Sequence, residues 1–363
     1  MSLEVSLPGS SQSQPYRGAG DSGYSGRFAM RIAVQAPCRV DLAGGTLDIW
    51  PLYLYHAHAV TVNFAIDRYA RCLLQTWEDR RILLRSKDLG VEEWFDSLSA
   101  LAASPSPKLP LAANLVRFFA PREGFELQTD SQAPAGAGIA GSSALIIATA
   151  SALNRLTGAR YRLERLREIA QNVEAQIIQV PTGSQDYYPA MYGGVSAIEM
   201  GVAGILRRQI PVDPADFNER IVLAYTGLPR NSGINNWEVL KAHIDGDRKV
   251  YRNFEVIASI AQAMREALSR SDWTEVGRLL REEWSHRRKN APGITTPLID
   301  RLIAAARKAG ATGAKVCGAG GGGCVFFLAE RGARERVAQA IEREGAALLP
   351  ARLAPRGVRV TVK

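Results

Sequence analysis

The sequence predicts an α+β protein of two parts, and three observations carry that prediction. Apolar residues recur at helical spacing in some stretches and alternate as in strands in others, with no internal repeat. At 363 residues the chain is long enough for two domains. Its 46% apolar and 22% charged residues are ordinary for a globular protein with a sizeable core.

Residues 1–29 are rich in Gly, Ser, Pro and Gln and are expected to be a disordered extension, because they cannot bury enough apolar surface to offset the entropy of ordering. Structure is expected from "MRIAVQAPCRVDLAGG", where Ile32, Val34, Val40 and Leu42 alternate as in a strand. A strand pair follows in "AVTVNFAIDRYARCLLQTW" and "RRILLRSK". Helices are expected in "LPLAANLVRFFA", in "SSALIIATASALNRLTG", which ends on Gly158 as helices often do, and in "RLERLREIAQNVEAQII". "GGVSAIEM", "RRQIPV" and "RIVLAYTG" read as strands. Two long helices, "VYRNFEVIASIAQAMREALSR" and "WTEVGRLLREEWSHRRKN", come next. The helix "PLIDRLIAAARKAG", a glycine run, the strand "CVFFLAE", the helix "ARERVAQAIEREG" and the strand "GVRVTVK" close the chain. A junction is expected near residues 200–225, dividing a domain at 30–210 from one at 211–363.

The formal charge of +9 is spread along helices rather than interleaved with aromatics, which argues against a nucleic-acid surface and suits an anionic small substrate. No apolar run reaches the roughly 18 residues of a membrane span, and no secretory pattern opens the chain, so a cytoplasmic protein is expected. Cys38, Cys72, Cys317 and Cys324 show neither metal nor disulfide spacing and are expected reduced and mostly buried. The four histidines show no metal spacing either.

Four stretches carry candidate chemistry. In "PAGAGIAGSSALIIATASALN", Gly136 and Gly141 sit at phosphate-loop spacing, but Ser142 stands where that loop has its lysine. The apolar run behind them makes this a helix N-terminus. It reads equally as an anion site built from unpaired N–H groups and as a turn capped by Ser142 or Ser143. In "APCRVDLAGGTLDIWPLY", a turn at Gly44-Gly45 would bring Arg39 and Asp48 to one mouth, although an R-x-D pair is more often a surface ion pair. "KVCGAGGGGCVFFL" places four glycines between ordered elements, where the backbone must approach something closely. In "VPTGSQDYYPAMYGG", Asp186 reads by itself as a turn former.

In this order, these four stretches resemble the GHMP kinases over roughly residues 31–363. "RVDLAGGTLDIWP", "TGSQDYYPAMYGG" and "AYTGLPRNSG" are most similar to the sugar kinase branch with the heptose 7-phosphate 1-kinases and fucokinases. The loop G-I-A-G-S-S is one residue longer than the heptose form and nearer the fucokinase form in length. The resemblance implies a ribosomal S5-like N-terminal α/β domain, a ferredoxin-like C-terminal domain and a site between them. It implies an ATP- and Mg²⁺-dependent kinase acting on a hydroxyl, the anomeric one first, of a sugar or sugar phosphate. Fucose-type free-sugar kinases are the runner-up; phosphomevalonate or homoserine substrates and a ligand-sensing, non-catalytic role rank below.

Carried over by position, Asp186 is the expected base and Arg39 the basic residue beside it. The loop Pro134, Gly136, Ala137, Gly138, Ile139, Ala140, Gly141, Ser142, Ser143 and Ala144 is expected to wrap the nucleotide phosphates, with Ser86 and Lys87 bordering it. Ser143, with Ser142 as its alternative, and Glu174 are the expected metal ligands; a solvent-facing charge is the alternative for Glu174. Gly45, Thr46, Asp48, Asp186, Gly193, Gly320 and Gly321 are expected at the acceptor. Arg230, Arg287, Arg288 and Lys289 are available to an acceptor phosphate, Arg230 foremost.

Overall fold

The computed structural model describes residues 30–229 and 232–363. The extension at 1–29 and Arg230 lie outside the described residues. The chain opens with β1 (Arg31–Ala43), a short α1 (Leu52–Tyr55) and the long β2 (Val60–Trp77). Then come β3 (Ile82–Ser86), β4 (Val91–Phe95), α2 (Leu98–Ala103), α3 (Pro110–Phe119) and β5 (Gly124–Ser131). The middle holds α4 (Gly141–Thr157), α5 (Leu163–Ile178), α6 (Tyr187–Tyr192), β6 (Val195–Gly201), β7 (Gly204–Ile210), α7 (Pro214–Asn218) and β8 (Ile221–Tyr225). Four helices follow: α8 (Ser232–Ile244), α9 (Arg248–Ser269), α10 (Trp273–Arg287) and α11 (Pro297–Lys308). Last are β9 (Ala311–Val316), β10 (Cys324–Ala329), α12 (Arg334–Arg343), β11 (Ala347–Leu348) and β12 (Arg359–Val362).

Two sheets organise these elements. The larger runs β12-β1-β2-β5-β3-β4, with β6 on β2 and β7 on β6; the smaller runs β11-β8-β10-β9. All pairings are antiparallel except β3 with β5. The length of β2 lets it serve two partners, β6 along Val60–Phe64 and β5 along Ala70–Trp77. Because β12 pairs with β1, the last residues of the chain return to the first sheet.

The apolar run of β10 follows from its position. Cys324, Phe326 and Leu328 belong to the large core that includes β1, β2 and α4, whereas Val325, Phe327 and Ala329 face the core under α11 and α12. A strand buried on both faces has no polar side to alternate with. The large core thus runs from one sheet into the other.

Local chemistry agrees with the helices. Thr296 caps α11 by accepting from the Ile299 amide, Pro297 takes the first turn, and Arg307 and Lys308 close the last. Gly158 ends α4 in the left-handed conformation. No side chain caps the start of α4: Ala140, at φ 56°, is the residue before it. The capping alternative for Ser142 and Ser143 therefore fails, since both lie inside the first turn. Among the described residues no helix is long and apolar enough to cross a membrane. All four cysteines are buried and none forms a disulfide.

Candidate active site

A cleft of about 370 Å³ lies where α4, β1, the turn before α6 and the glycine run meet. Arg39 and Asp41 are two apart on β1 and share a face, while Cys38, Val40 and Leu42 point into the core. The R-x-D pair is buried rather than superficial: Arg39 Nη1 is 3.7 Å from Asp41 Oδ1, with side chains 3% and 1% exposed. Arg39 Nε and Nη2 donate to the same oxygen, Oδ1 of Asp186, at 2.9 and 2.7 Å. Asp186 remains 28% exposed at the cleft. Burial opposes the charge on Arg39, but Asp186 and then Asp41 outweigh it and hold its pKa above the ordinary value. Asp186 thus has an ion-pair partner and is more than the turn former its local sequence suggests.

The turn carrying Asp186 is fixed from both sides. Asn63 donates to the Gln185 carbonyl at 3.2 Å, and the Gln185 amide donates to Asp48 Oδ2 at 3.0 Å. Asp48 therefore reaches the same mouth as Arg39, through the turn at Gly44-Gly45, and both line the cleft. Burial, reinforced by the like charge of Asp186, pushes the Asp48 carboxyl up to about 6. Gly183 is packed so closely that a Cβ there would lie 1.9 Å from Asp48 Oδ2.

Protein donors pin the glycine loop by its carbonyls. Ala137 O accepts from the Cys324 amide at 2.7 Å, Gly138 O from Arg39 Nη1 at 2.7 Å and Ile139 O from the Arg39 amide at 2.9 Å. Across a trans peptide the C=O and the next N–H point in opposite directions. The amides of Gly138, Ile139 and Ala140 are therefore turned away from those donors. They join the uncapped first turn of α4 as a set of N–H groups suited to an anion.

Pro134, Gly136, Ala137, Gly138, Ala140, Gly141 and Ser142 line the cleft, whereas Ile139, Ser143 and Ala144 are buried behind it. Ser143 is 1% exposed, and Ser142 is the serine that meets Glu174, donating to Oε1 at 2.9 Å. Of the two serines it is Ser142, the alternative, that stands at the cleft beside Glu174. Glu174 also accepts from Thr182 at 3.1 Å and from Tyr187, so it is not a solvent-facing charge. Burial raises its pKa, with the Tyr187 hydroxyl acting against that shift.

Three other expectations need correction. Ser86 is buried and donates to Asp88 Oδ1 at 2.8 Å, and Lys87 is exposed; Asp88 lines the cleft instead. Gly193 ends α6, and its neighbour is the Arg356 backbone, 2.4 Å from where a Cβ would stand, so it is packed away from the cleft. Gly320 and Gly321 lean on Ile294, whose carbonyl accepts from the Gly321 amide at 2.9 Å; Gly318 and Ala319 line the cleft. Thr46 lines it as expected, while Gly45 lies against Arg287. Arg288 pairs with Asp300 at 3.4 Å, outside the cleft lining.

A buried charge cluster beneath the site carried little sequence signal. Lys315 donates to Asp41 and, at 3.2 Å, to Glu283, and the Gly318 amide donates to Asp41 Oδ1 at 3.0 Å. Burial works against ionising Asp41, but Lys315, then Arg39 and Arg287, hold it well below the usual carboxylate range. A lone lysine in β9 and a glutamate in α10 look like solvated charges until the fold brings them together. The alternating R-x-D in β1 was the available clue.

Known proteins define the class. Residues 109–194 match the GHMP kinases N terminal domain and residues 264–347 match GHMP kinases C terminal. The mevalonate kinase of Pyrococcus horikoshii is 30% identical over 251 residues, spanning 66% of this chain and 69% of that protein. The chain belongs to the GHMP kinases and is an ATP-dependent kinase with their two-sheet α+β fold. The D-glycero-alpha-D-manno-heptose 7-phosphate kinase of Campylobacter jejuni is 26% identical over 324 residues, covering 86% of this chain and 94% of that one. Lactococcus lactis galactokinase, solved with galactose, shares the fold with a TM-score of 0.74 at 20% identity, covering 91% of this chain and 95% of that chain.

Proposed function

We propose that this kinase transfers the γ-phosphoryl group of ATP to a hydroxyl of a sugar or sugar phosphate, the anomeric hydroxyl first, as in a heptose 7-phosphate 1-kinase. The observation that carries the reading is the Arg39–Asp186 pair, with Asp186 open to the cleft that the amide-rich loop lines and Arg39 buried behind it. Residues 30–210 form the nucleotide domain in this reading and residues 211–363 the second domain, with β12 returned to the first.

Asp186 accepts the proton of the attacking hydroxyl as that oxygen bonds the γ-phosphorus, and ADP leaves with the electrons of the broken β–γ bridge. Arg39 orients the Asp186 carboxylate through two hydrogen bonds and supplies positive potential at the transferring group. The loop amides and the start of α4 hold the nucleotide phosphates, and Asp48 accepts hydrogen bonds from acceptor hydroxyls. Ser142 and Glu174 offer the hard oxygen donors that suit Mg²⁺, which, when bound, neutralises phosphate charge. The other hydroxyls on Glu174 fix the direction in which its carboxylate points.

A free-sugar 1-kinase of fucokinase type is the second reading, favoured by the loop length from Gly138 to Ser143. Assaying ADP release across free sugars, sugar phosphates and mevalonate tests both. A sugar or sugar phosphate is expected to give the highest kcat/KM; preference for mevalonate would contradict a sugar acceptor.

A further inference from the structure

Glu174 offers a cation one oxygen rather than two. It stands on α5 and lines the cleft, and each carboxylate oxygen has its own neighbours. Oε1 accepts from Ser142 Oγ at 2.9 Å. Oε2 accepts from two hydroxyls, Thr182 Oγ1 at 3.1 Å and the phenol of Tyr187. A carboxylate has about four lone-pair sites, two on each oxygen, so Oε2 is fully engaged while Oε1 keeps one site to spare.

The two hydroxyls differ in where they come from. Thr182 lines the cleft, whereas Tyr187 has no exposed surface and its ring belongs to the large core. Gln171, one turn before Glu174 on α5, donates from Nε2 to the Thr182 carbonyl at 3.0 Å, and its own Oε1 accepts from Arg167 Nη1 at 2.7 Å. This bracket ties the turn carrying Thr182 to the helix carrying Glu174.

Cation coordination makes the difference matter. Mg²⁺ holds ligands at about 2.0–2.1 Å in a near-octahedral shell and takes one or two carboxylates beside phosphates and water, whereas Ca²⁺, at about 2.3–2.6 Å, readily takes both oxygens of one carboxylate. Neighbouring ligands of the smaller octahedron stand about 3 Å apart, which is the spacing of Ser142 Oγ and Glu174 Oε1. A two-oxygen grip on Ca²⁺ would require Oε2 to give up a hydroxyl, leaving a polar group without its partner.

We infer that Thr182 and Tyr187 confine Glu174 to one metal-facing oxygen, Oε1, and thereby set the site's preference for Mg²⁺ over Ca²⁺. Thr182 closes the cleft side of Oε2, and Tyr187 stops the carboxylate from turning to present it. Both are positioning residues that act through Glu174. This deepens the functional reading above and rests on its placing of the cation at Ser142 and Glu174.

The test uses the full chain with a non-hydrolysable ATP analogue and Mn²⁺, whose free form is counted by electron paramagnetic resonance while Mg²⁺ or Ca²⁺ displaces the bound ion. The analogue alone gives the baseline. Wild type is expected to favour Mg²⁺ over Ca²⁺ about tenfold more strongly than the analogue does. Thr182→Val and Tyr187→Phe are each expected to lose most of that margin, and Thr182→Ser, which keeps the hydroxyl, to retain it. Thermal melts establish that the variants are folded.

Two results would overturn the inference. Wild type could favour Mg²⁺ no more than the analogue alone, or either hydroxyl-deleting variant could keep the full wild-type margin. Glu174→Gln separates this inference from the reading beneath it. That variant is expected to bind Mn²⁺ about tenfold more weakly; unchanged binding would remove Glu174 as a ligand and defeat the metal assignment itself.

Discussion

Asp48 shows how a buried carboxylate costs stability. Its folded pKa of about 6 stands above the roughly 3.9 of an unfolded aspartate. Between those values the folded state binds more protons than the unfolded one, so this group's contribution to stability falls as pH rises from about 4 to 6. Above pH 6 it is a constant penalty on the order of 3 kcal/mol. Asp48→Asn is therefore expected to be more stable than wild type at pH 8, to lose that advantage near pH 4, and to bind acceptor less well. Denaturant melts at the two pH values check the first two points, and acceptor KM checks the third; a variant less stable than wild type at pH 8 would contradict the account. The site's buried partners were harder to read than Asp48. Arg39, Asp48 and Asp186 sit in stretches rich in glycine and turns, whereas Lys315 and Glu283 gain their meaning from a 32-residue separation closed by the fold.

At the scale of elements, the glycine run and the glycine loop before α4 behave as one unit. Gly323 has φ 73°, and a Cβ on it would lie 2.7 Å from the Ala137 carbonyl, which also accepts from the Cys324 amide. Gly323→Ala is expected to cost about 2 kcal/mol or more and to weaken nucleotide binding about tenfold. Gly332→Ala is the control: φ is 75°, but nothing lies within 4 Å of the added Cβ. That variant is expected to lose about 1 kcal/mol and no nucleotide affinity. Equal effects on nucleotide binding would show that the contact with Ala137 is unimportant. The need for close backbone approach was visible in the sequence; its partner was not, because 186 residues separate Ala137 from Gly323. The helices α3, α4, α5 and α9 to α12 were legible from apolar spacing and end signals. By contrast β5 and β9 were not, since "GFELQTDS" and "ATGAKV" offer short, weakly alternating patterns whose pairing depends on distant strands.

At the scale of the molecule, the two sheets share a continuous core, and their junction carries both the buried charges and the cleft. Arg39 and Asp41 come from β1, Asp186 from the start of α6, Glu283 and Arg287 from α10, and Lys315 from β9. The mixture of helical and alternating apolar patterns anticipated the α+β class. The site's completeness follows from topology, because no contiguous segment supplies both Asp186 and its cationic partner Arg39.

The central claim is that Asp186, held by Arg39, takes the acceptor's proton. The direct test is Asp186→Asn, with nucleotide affinity and single-turnover phosphoryl transfer measured on the same preparation. Nucleotide binding is expected to stay near wild type while transfer falls by about 10²–10⁴-fold. Transfer at the wild-type rate would contradict the account.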